Sequence, residues 1–371
     1  MNLDRRTVLL SGSFLALGTT AQAYAQGSSL PSSRSSPSPN NVQEEQRSLD
    51  ELHQLALQEG GTLTVYAGGD TSDQQDANKA AFEQAFPGVT VNIIVDYSKF
   101  HDARLDYQIA TNTVVPDIVQ LQTLQDFDRW KSEGVLRPYK PKGFSSIHED
   151  FRDPDGAWIG LFVDAFSIVY NAHGVDDSAP SSLSDLLDPR WKSKIVSTYP
   201  NDDDAVLFLY KCAVGRYGWS WLQEFMKQDI TWVRGTQEPA DQVSANTRPI
   251  AFGTDGALAP DNSNASRFVI PDSPDPFMAW AQRAGILSAA KHPAAAELYM
   301  NWWLSEPVQK SFYMWSVRED ISAHEGYKHI WEYDNANLDE FVQFMQDRDG
   351  VERFRQQITL YVGEVKGDPS P

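Results

Sequence analysis

The sequence predicts an α/β protein of two lobes, and three observations carry that expectation. From Thr62 onward, short β-branched runs alternate with amphipathic helical stretches. After an extended middle portion the same alternation starts again near Lys194. The 371-residue chain is 41% hydrophobic and 22% charged, enough to fill large cores without disulfides or structural metals.

The elements follow in order. Arg5-Arg6, the apolar residues 8–17 and Ala23-Tyr24-Ala25 have the charged, apolar, A-x-A order of an export signal cut after Ala25. Its apolar part is too short to span a membrane. The arginine pair before Thr7-Val8-Leu9-Leu10 resembles a twin-arginine signal, while Asp4 keeps the general secretory route open. No cysteine follows the cut, which argues against a lipid anchor. Residues 26–47 are rich in Ser and Pro and are expected to form a disordered neck. Order is expected from Ser48, where Ser48-Leu49-Asp50-Glu51 reads as a capping box opening a helix that Gly60-Gly61 closes.

Residues 62–66, 89–95 and 117–121 read as strands, and 74–86, 99–110 and 124–132 as the helices between them. This βαβαβα series predicts a parallel sheet covered on both faces. In the second unit, 194–198, 231–233 and 249–252 are strands, with helices over 205–214 and 219–227. Residues 158–163 and 168–171 are extended and lead between the units, and 267–271 leads back to a helical C-terminal third. The expected division is lobe 1 over 48–171 and 271–371, and lobe 2 over 172–270. A cleft between two such lobes is the usual place for a small ligand.

Acidic residues outnumber basic ones by 51 to 31, a formal net charge of -20. Nucleic acid and anionic lipid are disfavoured partners, since both are held by clustered Lys and Arg. Cys212 is the only cysteine, which excludes an internal disulfide and a Cys-based zinc site. Its apolar surroundings predict a buried, inert thiol. The histidines show no H-E-x-x-H spacing; His101, just after the second strand, is the one placed near a ligand position.

Candidate ligand contacts lie at the C-terminal strand ends, where open α/β sheets bind their ligands. They are Gly69 and Asp70, Asp96 and Tyr97, Thr123, Asp164, Asp202 and Asp203, Gln237, and Thr254 with Asp255. Each aspartate can equally serve as a helix cap or turn residue. Three in a row at Asp202-Asp203-Asp204 exceed what one cap requires. Aspartates facing one cleft would favour a cation, to which Trp158, Phe166 or Trp232 could add cation–π contact. The turn Arg234-Gly235-Thr236-Gln237 could instead grip an anion, so the balance leans to a cationic or zwitterionic solute.

Gly61-Thr62-Leu63-Thr64-Val65-Tyr66-Ala67, Phe82-Glu83-Gln84-Ala85-Phe86-Pro87-Gly88-Val89, and Pro116-Asp117-Ile118-Val119 with Gly134-Val135-Leu136-Arg137-Pro138-Tyr139 stand in order along the chain. Val169-Tyr170-Asn171, Ala290-Lys291-His292-Pro293-Ala294-Ala295-Ala296 and Leu304-Ser305-Glu306-Pro307-Val308-Gln309 follow. Together they resemble the periplasmic type II extracellular solute-binding proteins of ABC transporters, in the iron(III)- and thiamine-type branch. The resemblance implies a two-lobed, Venus-flytrap fold and a monomer that captures a small solute in the periplasm for an inner-membrane permease. It implies no enzyme activity and no cofactor. The iron binders of this branch hold metal with adjacent tyrosines, but residues 252–258 contain none, so bound iron is not carried over. A metal-assisted hydrolase or a solute sensor on the same frame is the alternative; neither a G-x-S-x-G elbow nor a phosphate-binding P-loop is present.

Overall fold

The computed structural model describes residues 42–175, 178–258 and 265–368. The expected export signal, residues 1–25, and residues 26–41 of the expected neck lie outside them. Residues 42–47 belong to the expected neck yet are anchored. Glu44 pairs with Lys140 in a parallel bridge and accepts the amides of Gly143 (2.8 Å) and Ser145 (3.0 Å). Arg47 joins Arg137 on the buried Glu297, at 2.9 and 2.7 Å. Low apolar content predicts disorder, but here directed polar contacts fix the backbone.

Helix α1 (Leu49–Glu59) begins with the expected capping box, Ser48 with Glu51, and ends at Gly60 with a positive φ. Strand β1 (Thr62–Gly68), α2 (Asp76–Ala85), β2 (Thr90–Asp96), α3 (Ser98–Ala110), β3 (Ile118–Leu121), α4 (Leu124–Ser132) and the short β4 (Leu136–Arg137) complete the first unit. Alternation on β1 sends Leu63, Val65 and Ala67 into one core and Tyr66 into another, so the sheet is covered on both faces.

The chain then enters β5 (Ile159–Asn171), which fuses the two extended runs foreseen from sequence. Lobe two follows with β6 (Ile195–Thr198), α5 (Asp204–Tyr217), α6 (Trp219–Met226), β7 (Thr231–Val233), α7 (Gln237–Ser244), β8 (Ile250–Thr254) and β9 (Ser266–Phe268). The return passage is β10 (Met278–Leu287), a strand inside a stretch expected to be helical. Its Met, Ala, Gln and Leu residues suit a helix, but pairing with β3 along one edge and with β5 and then β4 along the other overrides that preference. Residues 267–271, expected to cross, instead contribute β9 to the β5 edge. One mixed sheet results, in the order β2-β1-β3-β10-β5-β8-β6-β7. Within each lobe the pairs β1–β2, β1–β3, β6–β7 and β6–β8 are parallel, and the pairs made by β5 and β10 are antiparallel.

The last helices are α8 (Pro293–Leu304), α9 (Glu306–Ser311), α10 (Leu338–Gln346) and α11 (Arg348–Val362). Helix α8 packs on α1 in lobe one. The expected division assigned all of 271–371 to lobe one, but α11 packs on α5 and α6, and α10 lies between α5 on one side and α4 and β10 on the other. Phe341, Phe344, Met345, Val351 and Ile358 share the lobe-two core with residues of α5, an apolar match that chain order does not reveal. Cys212 is partly buried there, and burial pushes its thiol up to about 12, as an inert residue requires.

Two motifs far apart in sequence meet at Asp117. Its buried carboxylate accepts the amides of Thr64 (2.9 Å), Lys291 (2.7 Å) and His292 (2.9 Å), tying β1 and β3 to the start of α8. Removing it strands three amides at a closed junction. Asp117→Ala is expected to lower stability by about 2–4 kcal/mol, seen as an earlier urea midpoint with an unchanged slope.

Candidate functional site

The cleft floor follows from strand alternation. Asp164 and Phe166 lie two residues apart on β5, and Trp280 of β10 stands directly opposite Asp164. Gln282 follows Trp280 on the same side and accepts its indole N–H at 3.1 Å. Phe166 meets Trp280 edge to face, 4.9 Å between ring centres. The neighbours Val163, Ala165, Ala279 and Ala281 turn to the opposite face and enter the main core.

The rims are the C-terminal ends of parallel strands. Lobe one supplies Gly69 and Asp70 after β1, Tyr97, Ser98 and Lys99 after β2, and Gln122 and Thr123 after β3. Lobe two supplies Asp202, Asp203 and Asp204 after β6, Gly235 and Thr236 after β7, and Asp255 after β8. Met345 of α10 closes one side. The space between these residues, part of it open to solvent, is about 880 Å³.

The lobes touch across this space. Asp70 reaches over from lobe one and accepts Thr236 N (2.6 Å), Thr236 Oγ1 (3.1 Å) and Gln237 N (2.9 Å), so it caps α7 of the other lobe. Lys99 Nζ donates to Asp202 Oδ1 (2.6 Å), and Arg234 holds the same carboxylate from lobe two at 2.7 and 3.0 Å. Burial alone would raise Asp202, but Arg234 and Lys99 outweigh it and hold the carboxyl below its usual range. Asp203 caps α5 through Ala205 N (2.8 Å) and Val206 N (2.9 Å). Burial nevertheless pushes it up to about 6. Asp204 is held by Arg348 (2.7 Å) and Arg355 of α11, which outweigh its burial and keep it low.

Asp164 and Asp255 differ. Among the described residues no cation pairs with either, and Asp164 accepts no hydrogen bond there. Asp255 has a single weak side-chain donor, Thr254 Oγ1 at 3.4 Å. Burial raises Asp164 well above the carboxylate range, with repulsion from Asp255 adding to it, and burial lifts Asp255 to about 6. Two carboxyls beside an aromatic pair, without a protein counter-charge, can accept a cation and are costly to ionise without one.

Three positions named from sequence stand behind the rim. Asp96 is bound by Arg104 (2.6 Å) and by the Tyr97 amide (2.9 Å). Gln237 turns its side-chain amide to Asp241 (2.8 Å), and Thr254 donates to Thr236 O (2.6 Å). Of the three aromatics, only Phe166 lines the cleft. Trp158 lies under the Arg283 guanidinium, 3.6 Å from its ring centre, and Trp232 stacks on Tyr199. Arg234 of the anion-gripping turn is occupied by Asp202. His101 is buried outside the cleft, stacked on Tyr66; burial and Arg104 push it down to about 4, so it is neutral. Trp280 and Gln282 were missed with their strand. Ser98 and Lys99 also went unnamed, although they directly follow the strand end that marked Tyr97. Among the described residues no three His, Cys, Asp or Glu side chains are grouped to hold a metal.

Comparison with known proteins adds the following. The family model for bacterial extracellular solute-binding proteins matches residues 115–314, just over half of the chain. Iron uptake protein A1 of Synechocystis is 26% identical over 110 residues, and that match spans 30% of its length and 29% of this chain. Iron-bound HitA from Pseudomonas aeruginosa superposes with a TM-score of 0.62 at 19% identity, covering 80% of this chain and 99% of HitA. The substrate-binding protein of an ABC transporter from Agrobacterium tumefaciens gives 0.67 at 13% identity, covering 81% and 94%. These structural likenesses establish the type II periplasmic-binding fold and leave the ligand open.

Two outcomes test this geometry. Gly235 has φ +75°, and a Cβ there would sit 2.9 Å from Asp70 Cγ. Gly235→Ala is expected to break the Asp70 cap and open the lobes, measured as a larger radius of gyration by small-angle scattering. Asp255 binds its proton more tightly folded than unfolded, so its contribution is full below about pH 4 and lost as pH rises through about 6. Asp255→Asn is therefore expected to be more stable than the parent at pH 8, on the order of 3 kcal/mol, with the gain vanishing toward pH 4.

Proposed function

The chain belongs to the bacterial extracellular solute-binding proteins, and we propose that it captures a small organic cation between its lobes for an ABC-type importer. The observation that carries the ligand class is the pair Asp164 and Asp255, the cleft carboxylates that neither pair with a protein cation nor cap a helix among the described residues. Every other rim acid is answered: Asp70 by amides, Asp202 by Lys99 and Arg234, Asp203 by amides, Asp204 by two arginines. An ammonium group against Asp164 and Asp255 would meet two negative charges and the Phe166–Trp280 rings, an arrangement that favours a partly desolvated amine.

Closure follows from the same groups. Asp70 on α7 and Lys99 on Asp202 join the rims, and a solute bridging floor and rims adds contacts available only when the lobes are together. The closed form is then the one presented to an inner-membrane permease, with the exported chain acting as a periplasmic monomer. No step alters the solute, because the site holds it and releases it by opening.

The purified chain should be stabilised by a bound alkylammonium compound, by ~2.7 kcal/mol at a hundredfold excess over Kd. Affinity should fall as pH drops from 8 to 5, because Asp255 takes up its proton near 6 and burial with repulsion from Asp255 also favours the protonated form of Asp164. Asp164→Asn should weaken binding at least about tenfold at pH 8, the loss of one desolvated charge contact. Mass spectrometry after incubation should return the compound unchanged. Stabilisation by anions alone, or affinity indifferent to Asp164→Asn, would sink the cationic assignment.

A further inference from the structure

The ammonium site accounts for the floor and the lobe-two side of the cleft; the lobe-one side carries different chemistry. There β2 and β3 run into the N-termini of α3 and α4. The first amides of a helix lack the usual intrahelical acceptor and carry partial positive charge. Here Phe100 N and Asp126 N turn back to Tyr97 O and Thr123 O and Leu124 N to Gln122 O, which leaves Ser98 N, Lys99 N and Gln125 N without an acceptor among the described residues. The two N-termini are joined, because Ser98 Oγ at the start of α3 accepts the Gln122 amide just before α4, at 3.0 Å. Gly68 permits that approach: a Cβ there would lie 2.2 Å from Ser98 Oγ.

Lobe two fills its corresponding helix ends with carboxylate, Asp203 on α5 and Asp70 on α7. The N-cap residue of α4, Thr123, makes no side-chain capping bond. Thr123 supplies the independent sign of a ligand. It is 5% exposed, lines the cleft, and its hydroxyl has no hydrogen-bond partner. A buried hydroxyl left unpaired is costly, and a ligand oxygen at this point would satisfy it. The neighbouring acid, Asp203, directs its Oδ1 to the amides of Ala205 and Val206 and to Gln122 Nε2 at 3.5 Å. Lys99, in the first turn of α3, keeps a positive charge beside the site while bound to Asp202.

We propose that Thr123 and the joined N-termini of α3 and α4 form an oxyanion subsite, so that the solute is a zwitterion. Its ammonium group lies on Asp164 and Asp255, and its carboxylate or phosphonate lies on the lobe-one wall. The inference rests on the capture reading above and extends it to the other end of the solute. It also gives closure a cause, since one molecule then engages the floor and both rims.

Calorimetry on the intact folded chain tests it with three matched series: ω-amino acids from glycine to 6-aminohexanoate, ω-aminoalkylphosphonates, and n-alkylamines of equal length. At one chain length the zwitterion should bind at least about 30-fold tighter than its alkylamine, and its methyl ester should lose that gain. Whichever of the carboxylate and phosphonate series binds tighter identifies the oxyanion. Thr123→Val should cut the preference of zwitterion over amine about tenfold, and Thr123→Ser, which keeps the hydroxyl, should restore it. Thermal unfolding of both variants establishes that they are folded. Alkylamines binding as tightly as every matched zwitterion would overturn the oxyanion subsite and leave the cationic capture reading intact. A preference unchanged in folded Thr123→Val would overturn it too. Binding of simple alkyl carboxylates or phosphonates with no binding of any ammonium compound would overturn the zwitterion and the cationic reading together.

Discussion

The antiparallel pairing of β5 with β10 is the constraint on which the rest depends. These two strands carry the chain between lobes and also form the cleft floor, with Asp164 opposite Trp280. Because side chains alternate along a strand, the polar floor and the apolar support beneath it are set by one register. A slip of one residue would turn Asp164 toward Val163 and Ala279 in the core and bring apolar groups to the cleft. The core under the floor therefore protects the site chemistry as well as the fold.

On that floor the charges are sorted by partner. Four aspartates at the rims have structural work: two cap helices and two hold cations. The partners often come from elsewhere in the chain. Asp70 of lobe one caps a helix of lobe two, and Asp204 is held by arginines of the final helix. These contacts bring the lobes together and remove most of the negative charge from play. What remains is concentrated at Asp164 and Asp255, with the Thr123 hydroxyl across the cleft. The net charge of -20 over the chain thus says little about the solute, while two carboxyls and one hydroxyl say a good deal.

Much of this was legible in the residues. Capping at Ser48, the βαβαβα run, and the rule that ligands sit at strand ends all depend on neighbours within a few positions. For that reason Gly69, Asp70, Tyr97, Thr123, Asp202, Asp203 and Asp255 could be named, and the structure brings them to one cleft. Asp164, expected at a strand end, lines it from within β5, where side-chain alternation turns it to the cleft. Asp96 and Thr254 occupy equivalent strand ends but are drawn aside by Arg104 and by Thr236 O. No local pattern distinguishes the two groups. Likewise β10 reads as helix because its own residues favour helix, and its strand state comes from β3 on one side and β5 on the other.

By itself, then, the sequence determined the α/β class, the order of most elements, the resemblance to a solute-binding family and the strand ends at which a ligand would sit. Only the tertiary structure decided that Met278–Leu287 is the second crossing strand, that α11 packs on lobe two while α10 spans both lobes, and which aspartates are spent on caps and ion pairs. The physical reason is range. Propensity, periodicity and capping act along a few residues, whereas a strand's second edge and a carboxylate's counter-charge are supplied by segments 100 or more positions away, as Arg348 is for Asp204 at a separation of 144.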